Sequence, residues 1–186
     1  MHCVPRGAEG SRLRRGAERR DRVPLSEAIR LDPKSADAYY NRGLAYLYSG
    51  DLAKALADVS EASALDPLDA YKALWADIVA ARNNAPSPLS QASARIDMTP
   101  WPAPIVRSFL GRMPPEAVLT AADDADARKK KIQVCDANFY GGELALRLSA
   151  KDEAERLFRL AASGCAKDAN EWFAANAELK ALGAAP

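Results

Sequence analysis

The residues of this chain best able to do chemistry are few. There are three cysteines, Cys3, Cys135 and Cys165, and a single histidine, His2. One imidazole at the second position supports neither a Ser-His-Asp triad nor a zinc cage of paired Cys and His. No Cys-X-X-Cys spacing occurs, so a redox or nucleophilic cysteine is not expected. Asp123, Asp124 and Asp126 cluster just ahead of Arg128, Lys129, Lys130 and Lys131. Acid before base complements a helix dipole and describes a solvated helix start; an anion-binding patch is the sharper alternative. No glycine-rich phosphate cradle is present. The sequence therefore offers no catalytic residue, no metal site and no cofactor site, and the chain is expected to work by binding.

The elements that must carry such binding are helical. At 186 residues the chain is one domain or a repeat array of similar mass. Apolar residues make up 48% and aromatics only 7%, while Ala, Leu, Glu, Lys and Arg abound, which favours helix over sheet. No apolar run is long enough for a transmembrane segment. Residues 1–23 hold seven arginines against three acids, so this leader is basic and the remaining 163 residues are mildly acidic. That balance argues against nucleic acid as the main ligand. The leader is expected to be disordered and has no apolar core of a secretory signal. The sequence "LSEAIRLDP" after it reads as the back half of a helix whose front half is replaced by Arg- and Gly-rich sequence, as a truncated or misread start would leave it.

The chain repeats itself. "AIRLDPKSADAY" recurs as "ASALDPLDAY", with Pro33 and Pro67 separated by 34 residues. Between them stand Tyr39, Gly43, Tyr46, Gly50, Ala55, Ala62 and Pro67. This pattern resembles the tetratricopeptide repeat (TPR), a pair of antiparallel helices. Gly43 and Ala62 allow a close helix approach, Gly50-Asp51 makes the turn and caps the second helix, and Pro67 ends it. A second unit, "CDANFYGGELALRLSAKDEAERLFRLAASGCAKD", places Gly142, Ala145, Ala154, Phe158 and Ala161 at matching offsets. "SEAIRLDP" is the tail of an incomplete first unit, and "DAYKALWADIVAARN" starts a degenerate one with Asp77 at the small position.

Residues 84–125 break the period and carry seven of the twelve prolines. Short helices are expected at "QASARI", "APIVRSFLG" and "PEAVLTAA". The segment "NEWFAANAELKALG" is amphipathic, with Trp172, Phe173, Ala177 and Leu182 as its apolar side, and suits a terminal helix covering the last hairpin. The expected fold is all-α: a superhelix of TPR hairpins over residues 24–186, with a proline-rich helical insert at about 84–125 and a C-terminal capping helix.

The order of segments "DPLDAYKALWADIVAA", "WPAPIVRSFLGRMPPEAVLTAA" and "LFRLAA" with an aromatic helix after it resembles the NlpI-type TPR lipoproteins of bacteria, over roughly residues 24–183. The resemblance implies an envelope adaptor that docks cell-wall hydrolases and a protease, and a helical homodimer. The signal peptide and acylated cysteine of those lipoproteins are not recognisable in this sequence.

Cys135 opens the last unit and Cys165 closes it, so antiparallel helices bring them to one edge, where they form either a disulfide or two reduced, packed thiols. A bridge would imply an oxidising compartment and, with the resemblance, leans towards the periplasm. The peptide-binding groove is expected on the first helices of the units. Its candidate residues are Tyr40, Asn41, Leu44, Leu47 and Tyr48; Tyr71, Leu74, Trp75 and Ile78; and Phe139, Tyr140, Glu143 and Arg147. Core packing is the alternative for several of them, Trp75 and Phe139 above all. Tyr40 and Leu44 replace the Lys and Asn of chaperone-type carboxylate clamps, so an apolar extended or helical segment is the expected ligand. The leading function is a non-catalytic protein- or peptide-binding scaffold. The alternatives are a structural homodimerisation module and the regulatory subunit of an enzyme.

Overall fold

The computed structural model describes residues 24–184 as an all-α chain of helical hairpins; the basic leader with His2 and Cys3, and the last two residues, lie outside the described residues. The fold falls into two compact units that meet in sequence between Pro88 and Leu89.

Among the described residues the first unit holds four helices. α1 covers residues 24–31, α2 is Ala36–Ser49, α3 is Leu52–Leu65 and α4 is Ala70–Arg82. Each boundary has a local cause. The Ser35 side chain accepts from the Ala38 amide at the start of α2, Asp51 from the Lys54 amide at the start of α3, and Asp69 from the Tyr71 and Lys72 amides at the start of α4. Gly50 ends α2 at φ 85°, and Asp66-Pro67 ends α3. α2 and α3 lie unusually close. A Cβ on Gly43 would stand 2.7 Å from Val59 Cγ1 and 3.1 Å from the Val59 backbone nitrogen. Ala55, Val59 and Ala62 of α3 are fully buried. Across the same hairpin Arg42 donates two bonds to Asp58, at 2.7 and 2.8 Å, and lies 5.6 and 5.9 Å from the rings of Tyr39 and Tyr46. Those two tyrosines are half-buried, each with the guanidinium within cation–π range of its ring.

The second unit begins with the proline-rich segment. α5 is Leu89–Ala92, α6 is Ala103–Phe109 and α7 is Pro115–Ala121. α6 and α7 follow the expected "APIVRSFLG" and "PEAVLTAA". The first expected helix is cut to one turn, because "QASARI" passes into turns after Ala92. α8, Ala127–Arg147, and α9, Lys151–Gly164, form the second hairpin, and α10, Asn170–Ala181, packs on both. The acidic run does what a solvated helix start requires. Asp126 caps α8, Asp123 pairs with Lys130 at 2.6 Å, and Asp124 accepts from Gln133. The core holds Phe139, Tyr140 and Phe158, with ring centroids 5.0 Å apart for Phe139–Tyr140 and 6.0 Å for Phe139–Phe158. The close approach recurs here, since a Cβ on Gly142 would stand 2.6 Å from Phe158 Cε1.

α10 is seated differently from the sequence expectation. Its buried residues are Ala174, Ala175, Glu178 and Leu179, whereas Phe173 is 55% exposed. The small alanines let α10 settle onto the hairpin, and the bulky Phe173 is turned outward, its ring 5.1 Å from that of Trp172. Trp172 Nε1 donates to the Ala162 carbonyl of α9 at 3.0 Å. No strand occurs among the described residues.

Candidate protein-interaction surfaces

The first helices of the hairpins, α2, α4 and α8, carry the thirteen residues that the sequence assigns to a groove. The structure divides them by depth. On α2, Leu44 and Leu47 are buried, Tyr40 and Tyr48 are half-buried and Asn41 is exposed. On α4, Tyr71 is half-buried, but Leu74 and Trp75 have no exposed surface and Ile78 has 2%. On α8, Phe139 and Tyr140 are core, Glu143 is buried and only Arg147 is exposed. Leu44, Leu47, Leu74, Trp75, Ile78, Phe139, Tyr140 and Glu143 are therefore corrected from ligand-facing to interior positions. The physical reason is clear on α4: residues 72–80 are buried all round, Lys72 and Asp77 included, so this helix has no outward stripe over two turns. Of these candidates on the first unit, Asn41 is exposed, Tyr40 and Tyr71 are partly accessible, and Tyr48 offers part of its ring while its hydroxyl is buried.

A polar node that the sequence reading missed ties this region together. Lys72 Nζ donates to Asp69 at 2.7 Å, Asp37 at 3.0 Å and Asp66 at 3.2 Å, and sits 6.0 Å from the Tyr40 ring. Burial opposes the charge on Lys72. The three carboxylates outweigh that and hold its pKa well above the ordinary lysine value. The node joins the start of α2, the end of α3 and the start of α4, and so fixes Tyr40 relative to Tyr71. Only the Asp69–Lys72 step, three residues along one helix, leaves a trace in the sequence.

The second unit offers another surface. A shallow, solvent-open depression lies between α6, α7 and α8, lined chiefly by Ile105, Phe109, Pro115, Val118, Tyr140 and Leu144. The Arg147 guanidinium lies 5.0 Å from the Phe109 ring. Deeper in this unit, Trp101 Nε1 donates to Asp136 at 2.9 Å, and the Tyr140 hydroxyl reaches Glu171 Oε1 at 3.4 Å. Burial and the Asp136 charge push the Glu171 carboxyl up to about 7, against weaker lowering by its own backbone amide and by Tyr140.

Cys135 and Cys165 are joined by a disulfide, with Cα atoms 4.9 Å apart, linking α8 to the end of α9. Among the described residues no group of three or more His, Cys, Asp or Glu is placed to hold a metal ion. No helix of the described residues is long and apolar enough to cross a membrane.

Residues 25–50, which span most of α1, the turn after it and all of α2, match the model for the TPR repeat. The match ends at Gly50, the turn residue of the first complete hairpin, and the second hairpin repeats its geometry with Gly142 against Phe158. An all-α fold of TPR-type hairpins agrees with both.

Proposed function

We propose that this chain is a non-catalytic scaffold that presents TPR-hairpin surfaces to protein or peptide partners. The observation that carries the reading is the partly accessible face of Tyr40, Asn41, Tyr48 and Tyr71 on α2 and α4, held by the Lys72 node. TPR repeats serve protein–protein interaction, and stacked hairpins offer extended binding surfaces on their first helices. Tyrosine suits that role because it supplies a large, stiff apolar area with a polar tip. Asn41 adds an amide able to donate to and accept from a partner backbone. An apolar extended or helical segment fits this face better than a chain-terminal carboxylate, since its one central cation is already committed to three aspartates.

The setting is proposed with it. The Cys135–Cys165 bridge suits an oxidising compartment, and the resemblance to NlpI-type proteins supports the bacterial envelope and partners among its cell-wall enzymes. Cross-linked pull-down with the wild type and with Tyr40→Ala/Tyr71→Ala tests the face. Loss of at least tenfold in captured partner is expected from removing two aromatic anchors. Equal recovery of the same proteins by both would refute the assignment. Recovery of envelope hydrolases supports the proposed setting, and recovery of cytosolic proteins alone removes it.

A further inference from the structure

The second unit holds one buried and one half-buried carboxylate that binding on α2 and α4 does not use. Asp136, on α8, is 3% exposed and accepts from Trp101; Glu171, in the first turn of α10, accepts at 3.4 Å from the hydroxyl of Tyr140, one helical turn after Asp136 on α8. The groups that act on Glu171 are Asp136 and Tyr140 from α8 and its own backbone amide. α9 meets the start of α10 through the Ala162 carbonyl, which accepts from Trp172 and carries no charge that titrates. The chain reaches Glu171 six residues after Cys165, whose disulfide fixes the end of α9 beside Cys135, the neighbour of Asp136. Covalent linkage thus delivers one acid to the other.

We propose that the Asp136–Glu171 pair makes the seating of α10 on the α8–α9 hairpin pH-dependent: α10 is held while Glu171 keeps its proton and loosened when that proton is lost. With α10 lifted, Glu171 meets water and ionises near the ordinary carboxylate value of 4.5; seated, it holds its proton up to about 7. The seated form therefore binds more protons between those values. Rising pH favours the lifted form over that window, and the effect is complete above it. Lifting α10 uncovers the face of α8 and α9 on which Ala174, Ala175 and Leu179 now sit.

Amide hydrogen exchange on the full chain, corrected for intrinsic rates, tests this at pH 5, 6, 7 and 8. Protection of α10 is expected to fall by roughly thirtyfold from pH 5 to pH 8, while α2, α3, α8 and α9 stay level. Glu171→Gln should leave α10 protected and flat with pH. Asp136→Asn keeps an oxygen for Trp101 and should shift the fall to lower pH with a smaller amplitude. Constant protection of α10 in the wild type overturns the proposal. So does an undiminished fall in Glu171→Gln, or a parallel fall in α8 and α9, which would mark loosening of the whole unit.

Discussion

The two hairpins α2–α3 and α8–α9 repeat the same core contact but hold their ends by different means. Gly43 against Val59 and Gly142 against Phe158 are equivalent close approaches, and in each a small residue lets a bulky one reach the neighbouring backbone. The turns differ. In the first hairpin Gly50 takes the left-handed position at φ 85° and Asp51 caps α3. At the matching offsets the second hairpin has Ser149, at φ 62°, and Ala150, which makes no side-chain cap. Ser pays a steric cost in that region that Gly avoids, and Ala leaves first-turn amides without a side-chain partner. The far ends reverse the contrast. Cys135 and Cys165 are bonded where the first hairpin has Ala36 and Asp66. Inter-helix closeness is thus the shared requirement, while the closing of the ends can be met by turn chemistry or by a covalent link.

That contrast is open to breaking. The largest effect is expected from Cys135→Ser/Cys165→Ser. Loss of a link closing about 30 residues should destabilise α8–α9 by roughly 3–4 kcal/mol. Hydrogen exchange of α8 and α9 measures it, with α2 and α3 unmoved; equal protection in both proteins would mean the turn and core suffice. Next come Gly43→Ala and Gly142→Ala. Each added methyl meets atoms at under 3 Å, and each should cost its own hairpin about 1–3 kcal/mol, read as a lowered urea midpoint. A neutral result at Gly142 with a loss at Gly43 would show that the Phe158 ring yields where the Val59 backbone does not. The smallest effects belong to the turns. Asp51→Ala should lose, and Ala150→Asp gain, about 0.5–1 kcal/mol in thermal melts.

The hairpins were legible in the sequence because their demands are local and periodic. Gly43, Gly50, Ala55, Ala62 and Pro67 each answer one steric requirement at a fixed offset, and Gly142, Ala154 and Ala161 repeat it. The candidate site was legible only in part. A helical wheel gives the direction of Leu74 or Trp75 but cannot reveal that α4 is buried on every side. It likewise favoured Phe173 over Ala174 and Ala175 as the seated side of α10, because it ranks hydrophobicity and not the room available. The Lys72 node and the Asp136–Glu171 pair depend on residues brought together by tertiary packing, for which short-range spacing carries little signal.

The Lys72 node has a consequence for how a partner arrives. One ammonium among Asp37, Asp66 and Asp69 leaves two negative charges in excess, and Asp37 keeps most of its side chain in water. The field reaching outward from the tyrosine face is therefore negative over about one Debye length, roughly 8–10 Å at physiological salt. If this face is the docking surface proposed above, segments bearing lysine or arginine beside their apolar anchors are favoured in diffusional encounter over acidic ones.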